Sequence, residues 1–152
     1  MKILVFSDSH RSRGGMMDAI DAHNPDLVIH LGDLQDDAEE IGYAYPQLAM
    51  IKVPGNCDGW TTDPLIRLVT LEGRRVLLSH GHLWRVKQGY GAAIHEARKA
   101  DAHILLFGHT HVAYCEQLED GLWVMNPGFC RSGYGLITIE NGNIDCQILK
   151  HE

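Results

Sequence analysis

Ile3-Leu4-Val5-Phe6-Ser7-Asp8-Ser9-His10 is an apolar run that ends in a carboxylate and an imidazole. Four comparable units follow. Residues 27–31 lead into Gly32-Asp33, residues 50–53 into Gly55-Asn56-Cys57-Asp58, residues 76–78 into Ser79-His80-Gly81-His82, and residues 104–107 into Gly108-His109-Thr110-His111. Short continuous apolar runs bounded by turn residues read as buried strands. Each would deliver Asp, Asn or His to one edge of a sheet, where an open α/β sheet has its ligand crevice. Carboxylate, amide and imidazole groups are ligands of hard and borderline divalent metals.

Between these runs, residues 16–22 predict a short helix stopped at Asn24-Pro25. Residues 35–43 predict a second, with Asp36, Asp37, Glu39 and Glu40 near the positive end of its dipole. Residues 47–53 make a third strand. The order strand, helix, strand, helix, strand implies parallel strands with covering helices. Residues 69–71 and 76–78 flank Glu72-Gly73-Arg74 as a hairpin. Residues 86–100 predict one helix, whose Ala92, Ala93, Ala97 and Ala100 permit close approach to a sheet. After His111, the runs 112–118, 122–126, 134–140 and 144–149 are separated by Glu119-Asp120-Gly121, Asn126-Pro127-Gly128 and Asn141-Gly142-Asn143. Asn-Gly between two strand-like runs signals a hairpin, so the C-terminal third is expected to be antiparallel. The expectation is one α/β domain over residues 1–152, with two stacked sheets and outer helices.

The 152 residues are 45 % apolar and 22 % charged, an ordinary globular balance with enough chain for one core. The net charge of -7, with no basic stripe, excludes the usual duplex nucleic-acid footprint, and no stable nucleic-acid complex is expected. A phosphate ligand stays compatible with that charge, because bound divalent ions bring their own. Cys57, Cys115, Cys130 and Cys146 form no C-x-x-C pair and read as free thiols in a reducing compartment. The first apolar run is too short for a secretory signal, and no run approaches the roughly 18 residues that span a bilayer. A cytoplasmic protein without membrane association is expected, and a homodimer is the assembly favoured by general frequency.

Asp8 and His10 stand two apart, as do His80 and His82, and His109 and His111. In extended backbone such pairs point the same way. Singly, Asp8 reads as a helix cap, Gly32-Asp33 as a turn and Asn56 as a turn residue. Together, Asp8, His10, Asp33, Asn56, His80, His109 and His111 make seven candidate ligands. That exceeds the three or four of a zinc site and suits two ions sharing a carboxylate, with Asp33 the central candidate for the bridge. Two adjacent ions form a clamp for in-line displacement at phosphorus. His30 reads as a satisfied core-edge histidine, and His23 and His95 as helix surface. Arg11, Arg13, Arg85 and Lys87 could place positive charge beside the clusters. Trp60, Trp84, Phe129 and Tyr134 could wall a pocket, Trp84 and Phe129 being placed nearest it.

The ordered set Asp8-Ser9-His10, Gly32-Asp33, Gly55-Asn56, His80 and Gly108-His109-Thr110-His111, with Asn126-Pro127-Gly128 after it, resembles the motifs of the calcineurin-like metallophosphoesterases. The likeness is to their small phosphodiesterase branch, of the YfcE and MJ0936 type, and covers essentially the whole chain. It implies a four-layer αββα sandwich with two mixed β-sheets and a dimetal centre at the strand ends. It implies one ion on Asp8, His10, Asp33 and His111, a second on Asp33, Asn56, His80 and His109, and a water or hydroxide between them as nucleophile. Mn²⁺ is the implied metal, with Zn²⁺, Fe²⁺, Ni²⁺ and Mg²⁺ as alternatives, and a small phosphate ester is the implied substrate. Many larger relatives have histidine where this chain has Cys57, and a thiol cannot carry an imidazolium's charge. Asn56 and His82 are the candidate catalytic residues, His82 as a donor facing the phosphate, while Asp58 is expected to orient a ligand histidine. The activity expected is that of a metal-dependent phosphodiesterase. The rival readings are a metal-binding scaffold with little catalysis and a small nuclease.

Overall fold

The computed structural model describes residues 1–10, 12–33 and 35–151. In chain order it gives β1 (Lys2–Phe6), α1 (Arg13–His23), β2 (Leu27–His30), α2 (Gln35–Ala44) and β3 (Ala49–Lys52). Next come β4 (Ile66–Leu71), β5 (Arg74–Ser79), two 3-10 turns (His82–Trp84 and Val86–Gln88), α3 (Gly91–Lys99) and β6 (Ile104–Leu106). The chain ends with β7 (Tyr114–Gln117), β8 (Trp123–Asn126), β9 (Gly133–Glu140) and β10 (Asn143–Lys150). The strands form two mixed five-stranded sheets, ordered β10-β9-β1-β2-β3 and β4-β5-β6-β8-β7.

The apolar runs are continuous because their strands bury both faces. In β1, Ile3 and Val5 point into the core between the sheets, while Leu4 and Phe6 pack outward with Met16, Ala19 and Ile20 of α1. In and after β6, Ile104 and Leu106 point inward, and Leu105 and Phe107 pack outward with Ala93 and Ala97 of α3. Each fully buried Ile, Leu or Phe contributes roughly 1.5–3 kcal/mol, so these doubly buried strands anchor the four layers, helix, sheet, sheet, helix. α1 stops where Asn24 turns left-handed at φ 48°, its N–H bonding to the Ile20 carbonyl, one residue before Pro25. The β9–β10 hairpin turns through Asn141 and Gly142 at φ 52° and 80°, as an Asn-Gly two-residue turn requires.

Two expectations need correction. Residues 86–100 do not make one helix: a 3-10 turn ends at Gln88, Gly89 takes φ 134°, and α3 starts only at Gly91. A residue at that φ cannot continue a right-handed helix. Nor is the C-terminal third wholly antiparallel, because β8 pairs parallel with β6, while β9 and β10 cross to the other sheet, where β9 pairs antiparallel with β1 and β10 with β9. The local hairpin signals were sound for β7–β8 and β9–β10, but pairing between distant strands decides sheet membership.

Candidate metal centre

The five clusters leave the C-terminal ends of β1, β2 and β3 in one sheet and of β5 and β6 in the other, both sets parallel. The two edges converge. The His109 N–H donates to Asp8 Oδ2 at 3.1 Å, and His80 Nδ1 lies 2.8 Å from the Leu31 carbonyl, to which it donates. These contacts put histidines from the second sheet over carboxylates from the first.

The segments are not extended there. Asp8, His10, Asp33, His109 and His111 have φ of 54°, 40°, 46°, 72° and 62°. Asp8 and His10 nonetheless converge, their ligand atoms lying within 4.8 Å of each other, but the expectation that His109 and His111 point one way fails. His109 instead lies toward His80, its Nδ1 3.2 Å from His80 Nε2, whereas His111 Nε2 lies 3.1 Å from Asp8 Oδ1. Left-handed backbone costs a residue bearing a Cβ roughly 1–2 kcal/mol, and such strain persists where surrounding contacts over-determine it. Two glycines permit that crowding. A Cβ on Gly55 would stand 2.7 Å from the Asp33 nitrogen, and one on Gly108 would stand 2.9 Å from Asp8 Oδ2.

Two donor groups result: Asp8, His10 and His111, and Asp8, Asp33 and His80. Their common member is Asp8, which is fully buried. Its Oδ2 accepts from the Ser7 hydroxyl at 2.6 Å and from His109 N–H. Its Oδ1 has no hydrogen-bond partner among the described residues, although His111 and His80 Nε2 atoms stand 3.1 and 3.8 Å away. The buried His10 Nε2 also lacks a partner among the described residues. A buried carboxylate oxygen left unbonded is costly, and lone-pair donors converging on one point fit a cation. Asp33 Oδ2 lies 3.4 Å from His80 Nε2, and its Oδ1 accepts the Cys57 N–H at 2.8 Å. Asn56 is exposed in the turn packed against Asp33.

The charges agree with the geometry. Burial alone would favour protonated Asp33, but hydrogen bonding to His80, the His80 charge and the Cys57 N–H hold it well below the ordinary carboxylate range. Burial opposes charge on His80, yet hydrogen bonding to Asp33 and the nearby Asp8 and Asp33 charges raise its pKa above 6.5. For His109, burial leads, followed by the charges of His80 and Lys87, and the pKa falls. His82 is also lowered, by burial and then by His80. Its ring centroid lies 5.6 Å from that of His80, and its buried Nδ1 has no partner among the described residues. Cys57 stays a thiol, its pKa raised by its hydrogen bond to Asp33, then by burial and nearby carboxylates.

Phe129 stacks on His111 with ring centroids 5.1 Å apart, so it does reach the site. Trp84 does not: it is 6 % exposed and belongs to the core under α3. Trp60 is 92 % exposed, and Tyr134 packs in the outer core beside α1. Arg13 faces Asp37 and Glu40, and Arg11 lies outside the described residues. Asp58 Oδ2 accepts the N–H groups of Asp33 and Gly55 at 3.0 and 2.7 Å, bracing two ligand loops to each other.

Sequence reasoning missed the supports. Asn126 Nδ2 donates to the Gly108 carbonyl and to Thr110 Oγ1, and its Oδ1 accepts the Gly128 N–H, so the turn after β8 holds the last cluster. Its place in Asn126-Pro127-Gly128 was the available signal. Ser7 and Ser9 carried none.

Residues 1–139 match the model of the calcineurin-like phosphoesterase superfamily domain. A probable metallophosphoesterase of Bacillus subtilis, YsnB, is 34 % identical, covering 93 % of this chain and 86 % of that protein. The phosphodiesterase YfcE of Escherichia coli is 26 % identical over 98 % of this chain and 90 % of its own. A crystal structure of a predicted phosphoesterase from Streptococcus pneumoniae superposes with a TM-score of 0.79 at 26 % identity, covering 99 % of this chain and 91 % of that one. The Entamoeba histolytica Vps29 structure complexed with Zn²⁺ shares the fold, with a TM-score of 0.76 at 20 % identity over 99 % of each chain.

Proposed function

The chain belongs to the calcineurin-like phosphoesterase superfamily, and from that premise we propose that it is a phosphodiesterase hydrolysing a small phosphate ester with two divalent ions. The observation that carries the reading is the pair of donor groups that share Asp8, whose Oδ1 has no hydrogen-bond partner among the described residues. Asp8, His10, Asp33 and His111 would hold one ion, and Asp33, Asn56, His80 and His109 the other, with Mn²⁺ the first choice. When bound, such ions lower the pKa of water and offset charge on phosphoryl oxygens.

The chain's own groups prepare that chemistry. Nδ1 of His80 is spent on the Leu31 carbonyl, which turns Nε2 toward the two carboxylates. The Cys57 N–H and the Asp58 carboxylate fix Asp33 from side chain and backbone. His82, its pKa lowered by burial and then by His80, stands with its ring 5.6 Å from that of His80 and would orient a phosphate oxygen.

The test is turnover of bis(p-nitrophenyl) phosphate with Mn²⁺ by wild type, Asp33→Asn and His109→Ala. The wild type is expected to hydrolyse the diester and both variants to lose most of that rate. Equal turnover in all three would sink the reading.

A further inference from the structure

Behind the ligand loops a second polar network runs through buried protein. Ser9, His30 and Asp37 are 0 %, 1 % and 3 % exposed. The Gly32 N–H donates to His30 Nδ1 at 3.1 Å. That nitrogen is an acceptor, so the neutral ring carries its proton on Nε2. Nε2 lies 3.0 Å from Ser9 Oγ, and the Ser9 hydroxyl donates to Asp37 Oδ2 at 2.6 Å. Donation therefore runs one way, from Gly32 through His30 and Ser9 to a carboxylate. This order excludes a nucleophilic triad, in which serine would donate to histidine.

None of the four is among the seven candidate ligands. Ser9 nevertheless stands between Asp8 and His10, and Gly32, at φ 102°, immediately precedes Asp33. Asp37 lies in the first turn of α2, with Arg13 of α1 3.8 Å from its other oxygen. The network thus ties the loop after β1, the end of β2 and two helices. It supplies long-range contacts that can hold Asp8, His10 and Asp33 in left-handed backbone.

We propose that the Gly32–His30–Ser9–Asp37 relay is a positioning device that fixes the Asp8–His10 loop against the Asp33 loop and so sets the spacing of the two ions. This rests on the two-ion reading above. A merely structural network would change stability and leave the ion pair alone. Outer partners of metal ligands typically alter affinity by about 10–100-fold.

The experiment is Mn²⁺ titration of the full chain, with ion counting by equilibrium dialysis and electron paramagnetic resonance of the spin-coupled pair. Wild type is expected to bind two coupled ions. Ser9→Ala and Asp37→Leu are expected to bind the second ion about 10–100-fold more weakly and to lose the coupled spectrum. Asp37→Asn, whose amide oxygen still accepts from Ser9, is expected to recover it. Should the first two not fold, His30→Asn carries the same expectation, since it retains an acceptor for Gly32 but falls short of Ser9. Wild-type affinity and coupling in a folded relay variant would overturn the proposal alone, as would an Asp37→Asn as impaired as Asp37→Leu. A wild type holding one ion or none would overturn the two-ion reading, and the relay proposal with it.

Discussion

His30 makes the protein's response to acid calculable. Burial lowers its pKa from 6.5 to about 4, against the opposing fields of Asp58, Asp37 and Asp8. The unfolded chain protonates this group near 6.5 and the folded chain only near 4, so between those values the unfolded state holds more protons. Stability is therefore complete above pH 6.5 and declines as pH falls toward 4. At about 1.4 kcal/mol per pH unit the window is worth about 3 kcal/mol, of which about 2 kcal/mol falls between pH 7 and pH 5. The assay is urea unfolding in chelator, because ligand protonation would otherwise couple metal binding to pH. Wild type is compared with His30→Asn, which has nothing to titrate at that position. The other shifted histidines, His80, His82, His103 and His109, are common to both proteins and cancel. Wild type should lose about 2 kcal/mol more than His30→Asn between pH 7 and pH 5. Parallel profiles, agreeing within about 0.5 kcal/mol, would refute the claim that His30 is held neutral by burial.

Two further outcomes follow from the site. Gly108→Ala places a Cβ 2.8 Å from Ser7 Cβ and 2.9 Å from Asp8 Oδ2. It should cost about 1–3 kcal/mol by overpacking and weaken metal binding by about 10-fold or more, which thermal melts and ion titration will show. His111 lies at the rim, with its side chain 47 % exposed, and belongs to one donor group. His111→Ala should therefore fold normally and retain about one Mn²⁺ per chain by elemental analysis, whereas two retained ions would contradict the division of the donors.

Much of the fold was legible because doubly buried strands leave an unambiguous trace. β6 and β1 from Ile3 onward read as unbroken apolar runs, and β2 as one broken only by the buried His30, since water touches neither face. β4 left a fainter one: residues 69–71 were read as strand, but Ile66 and Leu68 are 42 % and 50 % exposed at the sheet edge. The break before α3 was hidden because Gly89 and Tyr90 do not by themselves forbid a helix. Trp84 was placed at the pocket by its nearness to His82, yet a turn of 3-10 helix carries its ring into the core.

The chain's local chemistry, read residue by residue, was enough to bring out the seven donor-bearing residues and the strand ends that carry them. The tertiary structure decided which of them lie together. His109 and His111 diverge, one toward His80 and the other toward Asp8, because left-handed backbone at both breaks the extended geometry that would align them, whereas Asp8 and His10 still converge. The carboxylate common to both donor groups is Asp8, and Asp33, the one shared in the proposed two-ion assignment, stands beside it in the second group. The relay through Ser9, His30 and Asp37 exists only in the folded chain, since its members lie 21 and 28 residues apart along the sequence. Hydrogen bonds over such separations follow from how sheets and helices pack, and no local pattern of residue types records them.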